Sequence, residues 1–165
     1  TQVKIPDDKL GIITVGDNGK YFFGIKGRDI RLRTLDLMSE KYGIPFTAEE
    51  RERFTLIDEF GVPIGSLKSL IALDMDKRAQ PGVQKGIPAD STKELSNELF
   101  HWVFSARTAT AALYNEQMRI SIKGDKREKF PEIKTVIDIL QNQNLNKFSL
   151  ITSLGASVQA TSEPE

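Results

Sequence analysis

The sequence predicts an α+β fold, with a mixed β-sheet of about four strands and helices packed mostly on one face. Three observations predict it. Residues 11–25 have the pattern of a β-hairpin, residues 119–154 that of a strand, a helix and a second strand, and residues 43–115 are rich in helical patterns. Hairpin strands are antiparallel, whereas strands joined through a helix lie parallel with a right-handed crossover. The sheet is therefore predicted to be mixed.

The composition is that of one soluble folded domain. The chain has 165 residues, 39% of them hydrophobic and 28% charged, which is enough to bury a core. Its 23 basic and 23 acidic residues cancel, and this argues against nucleic acid as a partner, because nucleic-acid binders usually carry a basic excess. The chain has no cysteine, so disulfides and thiolate chemistry are excluded.

The hairpin is predicted from two β-rich runs on either side of a turn. The runs are GIITV at 11–15 and KYFFGI at 20–25, and Asn18-Gly19 between them is a strong turn signal. Residues 1–9 are polar and are predicted to form a flexible lead-in.

Two helices are predicted directly after the hairpin. The first runs from about Thr34 to Tyr42 and stops at Gly43. The second begins with the capping box Thr47-x-x-Glu50 and continues to Phe60.

The rest of the helical region holds a short helix, a long loop and the longest helix. The short helix starts at Ser66, the loop covers 73–89, and the longest helix spans Ser91–Tyr114 with a second Ser-x-x-Glu capping box at its start. His101 and Trp102 are the only residues of their types, and we interpret them as ordinary packing or surface residues, because metal sites need several ligands close together.

The C-terminal unit starts with the strand Arg119–Lys123, in which Ile120 and Ile122 share one face. A turn at Gly124-Asp125 precedes a helix with Pro131 as its predicted first residue. Phe148–Leu154 is the second strand. Residues from the hairpin and from this unit make up the predicted core: Ile13, Val15, Phe22, Ile120, Ile122, Ile133, Val136, Ile137, Leu140, Leu150 and Ile151.

No pattern in the sequence indicates catalysis. There is no nucleophile beside a base, no pair of carboxylates in contrasting environments and no glycine loop with phosphate-binding spacing. We therefore predict that the protein is not an enzyme and uses no cofactor or metal.

The C-terminal unit resembles the end of ExbD/TolR-type biopolymer transport proteins. The positions that carry the resemblance are Ile120, Ile122, Asp125, Phe130, Val136, Ile137, Asp138, Leu140, Leu150, Ile151 and Thr152. A weaker likeness lies in the hairpin, at Asp17, Gly19 and Tyr21. Phe130 stands where the family more usually has Tyr, and Leu145-Asn146 replaces a turn that usually contains glycine. The helical region 43–115 exceeds what such a domain normally has and is the main departure from the pattern.

The resemblance implies a periplasmic domain of a Gram-negative inner-membrane protein. Residues 1–9 would be a juxtamembrane linker, 10–154 a single domain with a helical insertion at about 43–115, and 155–165 a disordered tail. The chain begins at Thr1 and has no run of the ~20 apolar residues that span a bilayer, so we interpret it as an excised domain or mature fragment. Such proteins use the proton motive force to drive TonB-dependent transport or Tol-dependent envelope maintenance, and their proton-carrying Asp lies in the membrane helix.

The partners implied are a second copy in a homodimer, an ExbB/TolQ-like membrane protein, a TonB/TolA-like protein and peptidoglycan. The predicted partner-binding residues are Phe148, Leu150, Thr152, Asp125 and Phe130. One mechanism is strand addition at an open sheet edge, with Gly11–Val15 and Phe148–Leu154 as candidate edges. A second is peptidoglycan binding. The alternative from another class is a stand-alone soluble protein-interaction domain that resembles this family by chance.

Overall fold

The computed structural model describes residues 8–124, 130–151 and 157–161, and for Asp17, Phe130 and 157–161 it describes the backbone. The strands are β1 Leu10–Val15, β2 Tyr21–Ile25, β3 Glu59–Phe60, β4 Arg119–Lys123, β5 Lys147–Ile151 and β6 Ser157–Thr161. The helices are α1 Arg28–Tyr42, α2 Ala48–Phe54, α3 Leu67–Ala72, α4 Met75–Arg78, α5 Glu98–Tyr114 and α6 Phe130–Asn142.

The strands form one mixed sheet in the order β3-β2-β1-β4-β5-β6. The hairpin strands β1 and β2 are antiparallel, and β4 lies parallel to both β1 and β5. The predicted α+β class is therefore confirmed, and so is the parallel pair joined through α6. The sheet has six strands rather than about four, because the short strand β3 and the C-terminal strand β6 extend it at its two ends.

The hairpin turns at the predicted dipeptide. Asn18 and Gly19 both have positive φ angles, of 63° and 71°, in a short 3-10 turn between β1 and β2. Asparagine and glycine are the two residues that adopt this region most readily, so the Asn-Gly signal specifies the turn.

The pairing register separates the two faces of the sheet. Ile13 pairs with Phe23 and with Ile122, and all three are fully buried on the face that forms the core. The opposite face over β1, β4 and β5 is more exposed, and it carries Thr14 and Lys123. One face of the sheet therefore provides the core.

Two predicted core residues belong to the more exposed face. Phe22 pairs with Thr14, and Ile151 pairs with Lys123, so both alternate away from the core and are only partly buried. Phe23, the neighbour of Phe22, is the core aromatic instead. Two adjacent aromatics in a strand must point to opposite faces, and the prediction chose the wrong one.

Several helix boundaries differ from the predicted ones. The capping box of Thr47 and Glu50 is present, but α2 ends at Phe54, and Phe60 lies in β3 rather than in a helix. The capping box predicted at Ser91 is wrong. The longest helix, α5, begins at Glu98, and the Asn97 side chain accepts the hydrogen bond from the backbone N–H of Phe100.

The helical region 43–115 shares its core with the sheet. Trp102 of α5 is fully buried and packs at 4.6 Å between ring centroids against Phe60 and at 6.0 Å against Phe54. Phe60 in turn contacts Phe23 edge-on at 6.4 Å. This aromatic chain joins α2, β3, α5 and β2, so the helical region 43–115 forms part of the core.

No helix in the part of the chain that the structure describes is both long and apolar enough to cross a membrane.

Candidate partner-binding site

The strand that the sequence analysis singled out for partner binding is paired on both sides. β5 lies parallel to β4, with Ile122 opposite Leu150, and antiparallel to β6, with Leu150 opposite Val158. The prediction that Phe148–Leu154 forms an open edge is therefore wrong for Lys147–Ile151, the residues that form β5. The other candidate edge, Gly11–Val15, is also wrong, because β1 lies between β2 and β4.

The edge next to β5 is formed by the C-terminal strand β6. Ser157–Thr161 lies within the segment predicted to be disordered, and all five of its residues are in register with β5, from Lys147 opposite Thr161 to Ile151 opposite Ser157. β6 is the terminal strand in the sheet order. A short terminal strand is held mainly by its backbone ladder, and an extended segment of another chain can form the same ladder.

The five predicted partner-binding residues fall into three groups. Phe148 is buried and Leu150 is partly buried against the core, both in β5. Phe130 is the first residue of α6, and Asp125 and Thr152 lie outside the described residues. Phe148 and Leu150 therefore lie together on the core-facing side of β5, the strand next to the candidate edge.

A cavity of about 300 Å³ lies where β4 and β5 begin. Its polar lining comes from Gln117, Arg119, Ser121, Lys147 and Ser149. Ser121 pairs with Ser149 across the two strands. The sequence analysis did not propose this group of side chains. The alternation of side chains indicates which face of its own strand each serine occupies. Only the parallel register shows that the two serines are neighbours.

Arg119 at this cavity has Asp8 as an acidic neighbour. Its Nη2 atom donates a 3.4 Å hydrogen bond to the backbone carbonyl of Asp8 and lies 3.8 Å from the Asp8 carboxylate. Asp8 is held more closely by Lys9, at 3.0 Å, and this hydrogen bond lowers the pKa of Asp8. The guanidinium of Arg119 is half-exposed and remains accessible to an anion from solvent.

The opposite end of the sheet is unsuited to strand addition. β3 has only the two residues Glu59 and Phe60, and the Glu59 carboxylate accepts a 2.9 Å hydrogen bond from the Thr14 hydroxyl. Very short edge strands and charged side chains are devices that prevent edge-to-edge pairing. A partner strand would therefore join the sheet at the β5–β6 end.

Comparison of the chain with protein-family models, with curated proteins and with solved structures finds no match. The likeness to ExbD/TolR-type proteins accordingly rests on the residues of the C-terminal unit and the hairpin.

Proposed function

We propose that this chain is the periplasmic domain of an ExbD/TolR-like inner-membrane component. In that role it dimerises and binds partner proteins, and so helps to couple the proton gradient to TonB- or Tol-dependent processes. The proposal rests on the resemblance of residues 119–154 together with one observation from the structure. The hairpin and the strand–helix–strand unit form a continuous sheet, in which β1 pairs directly with β4.

Partner binding is proposed to occur by strand addition next to β5. An extended segment of a TonB- or TolA-like protein would take the place of β6 and form backbone hydrogen bonds with Lys147–Ile151. The side chains that alternate along the partner strand would then lie beside Phe148 and Leu150 on one face and Ser149 on the other.

In this proposal β6 competes with the partner. When only a fraction of the molecules is in the binding-competent state, the apparent affinity for the partner is lower than the intrinsic affinity by that fraction. Removing β6 should therefore strengthen the binding of a partner strand.

The test is a binding titration of a peptide from the periplasmic linker or C-terminal domain of the TonB- or TolA-like protein encoded in the same genome. We expect deletion of 157–161 to raise its affinity for the domain by about fivefold or more. Spectroscopic perturbation of the backbone amides should centre on β5. Unchanged or weaker binding by a deletion variant that remains folded and monodisperse would remove the strand-addition mechanism.

Peptidoglycan binding is a second candidate, favoured by the cavity at the start of β4 and β5. Its two cations, Arg119 and Lys147, suit the carboxylates of peptidoglycan stem peptides, and its serines and Gln117 suit amide groups. A pull-down with purified sacculi tests it. We expect enrichment of the native domain and loss of enrichment in the double variant Arg119→Gln, Lys147→Gln. No enrichment of the native domain would exclude this role.

A stand-alone interaction domain is the alternative from another class. It would use the same sheet edge without a membrane anchor or a proton-driven complex. Extraction of the full gene product from membranes, followed by co-purification with an ExbB/TolQ-like protein, distinguishes the two.

A further inference from the structure

A groove of about 370 Å³ is lined by residues of α1 and α5. Its apolar walls are Leu37 and Phe104, and its polar lining consists of Glu40, Lys41, Ser105 and Thr108. Phe104 is 45% exposed, although its ring stacks on that of Phe100. A large aromatic side chain held in this position leaves apolar surface available to a ligand.

The ammonium group of Lys41 is fixed over this groove by two contacts. Its Nζ atom lies 5.2 Å from the centroid of the Phe104 ring and 3.2 Å from Nδ1 of His101. The other ring nitrogen of His101, Nε2, is 3.0 Å and 3.1 Å from the backbone carbonyl oxygens of Lys93 and Glu94. Because a carbonyl oxygen only accepts, the proton belongs on Nε2, and Nδ1 accepts from Lys41.

Lys41 therefore has a neutral partner rather than an anionic one. It forms no ion pair with any side chain in 8–124 or 130–151, and burial lowers its pKa. A partly desolvated cation without a counter-charge attracts an anion more strongly than a solvated surface lysine does. The positive charge is held at the apolar wall rather than in free solvent.

The hydroxyl groups that line the groove differ in whether their hydrogen is available to a ligand. The Thr108 hydroxyl donates to the carbonyl oxygen of Phe104 at 2.9 Å, so its hydrogen is already used. The Ser105 hydroxyl has no hydrogen-bond partner among the described residues. Ser105 can therefore donate to an anion bound at Lys41.

We infer that this groove binds a small amphipathic monoanion, with its carboxylate or sulfonate at Lys41 and Ser105 and its apolar body against Leu37 and Phe104. Charge complementarity decides the class of ligand. The Lys41 ammonium attracts an anion, and the Glu40 carboxylate, also in the lining, repels negative charge and so favours a ligand with a single charge over one with two. The volume fits one small molecule, because ligand pockets typically measure about 300–1,000 Å³. This inference is independent of the proposed partner-binding function.

The test uses two fluorescent probes that differ in charge. Anilinonaphthalene sulfonate carries one negative charge on an apolar aromatic body, and phenylnaphthylamine is its neutral counterpart. We expect the full chain to bind the sulfonate saturably at one site. The variant Lys41→Gln keeps a donor for His101 but removes the positive charge. It should bind the sulfonate about three- to tenfold more weakly and the neutral probe equally well.

Two further variants complete the experiment. Phe104→Ser should weaken the binding of both probes, because it removes the shared apolar wall. Lys77→Gln, on the exposed helix α4, should leave both affinities unchanged. Thermal unfolding of each variant establishes that it is folded. The inference is overturned if the native chain shows no saturable sulfonate binding, as it would if another copy covered the groove. Equal affinity of Lys41→Gln for the sulfonate would overturn it too.

Discussion

Arg31 Nη1 donates a hydrogen bond of 2.6 Å to the backbone carbonyl oxygen of Thr55, across 24 residues of sequence. The same guanidinium donates through Nε to the carbonyl of Ile25 at 2.7 Å and through Nη2 to Asp58 at 3.0 Å. Arg31 is only 8% exposed. It joins the end of the hairpin, the first turn of α1 and the residues after α2, so the helical region 43–115 is attached to the sheet by polar as well as apolar contacts.

Replacing Arg31 should destabilise the fold strongly. Arg31→Met keeps the apolar stem but leaves the carbonyl oxygens of Ile25 and Thr55 without their donor, and we expect a loss of about 2–4 kcal/mol in the free energy of unfolding. Asp58→Asn is the control. The Asp58 side chain is 85% exposed, so its ion pair is screened and the change should stay within about 0.5 kcal/mol. Urea unfolding measures both, and equal effects would contradict this account.

Gly61 is packed too closely for a side chain. A Cβ atom there would meet Phe22 Cδ2 at 2.3 Å and the Tyr21 carbonyl oxygen at 2.8 Å. Gly61→Ala should therefore cost about 1–3 kcal/mol through overpacking. Gly65→Ala is the matched control, because a Cβ at Gly65 has no neighbour within 4 Å. Thermal unfolding should separate the two variants, and similar midpoints would show that Phe22 can move away freely.

The N-cap of α2 allows a direct comparison between a capping box that is present and one that was only predicted. The Thr47 hydroxyl accepts from the Glu50 backbone N–H at 3.1 Å, and the Glu50 carboxylate accepts from the Thr47 N–H at 2.9 Å. Thr47→Ala should cost about 1 kcal/mol. Ser91→Ala should change stability by less than about 0.5 kcal/mol, because α5 starts seven residues later. Chemical denaturation of the two variants tests this, and a larger effect at Ser91 would be inconsistent with the structure.

Tyr42 should make stability fall at alkaline pH. Its hydroxyl donates to the Leu95 carbonyl at 2.7 Å. Burial, assisted by the charges of Glu98 and Asp90, raises the pKa of Tyr42 well above its ordinary value. The folded state then holds this proton more tightly than the unfolded state, so the stabilisation is complete below the unfolded pKa of about 10 and is lost as pH rises beyond it.

The corresponding measurement compares native and Tyr42→Phe protein over a pH series that starts below pH ~10 and ends above it. The native protein should lose stability more steeply, so the difference between the two should shrink as pH rises. Comparing the two proteins at each pH cancels the loss of lysine charge that they share. Parallel curves would show that the Tyr42 proton contributes nothing to stability.

Short sequence patterns correctly predicted those parts of the fold that depend on residues close together in the sequence. Asn18-Gly19 specifies the hairpin turn because both residues adopt positive φ. Gly43, with φ of 67°, ends α1 as predicted. The strand Arg119–Lys123 was predicted with its observed limits, since Ile120 and Ile122 alternate with polar residues.

Features that depend on distant residues were not predictable from local patterns. The choice between Phe22 and Phe23 as the core aromatic depends on the register with β1. β6 exists because β5 provides a ladder for it, whereas its own sequence is short and polar. Lys41 and His101 are 60 residues apart and meet only because α1 and α5 pack together. Predicted sites at Asp125 and Thr152 lie outside the described residues.

The central claim, that this is the periplasmic domain of an ExbD/TolR-like protein, is tested most directly by determining the reading frame upstream of Thr1. We predict an apolar segment of about 20 residues with a single acidic residue within it, directly before residues 1–9. A start codon immediately before Thr1, or a polar segment in that position, would contradict the claim.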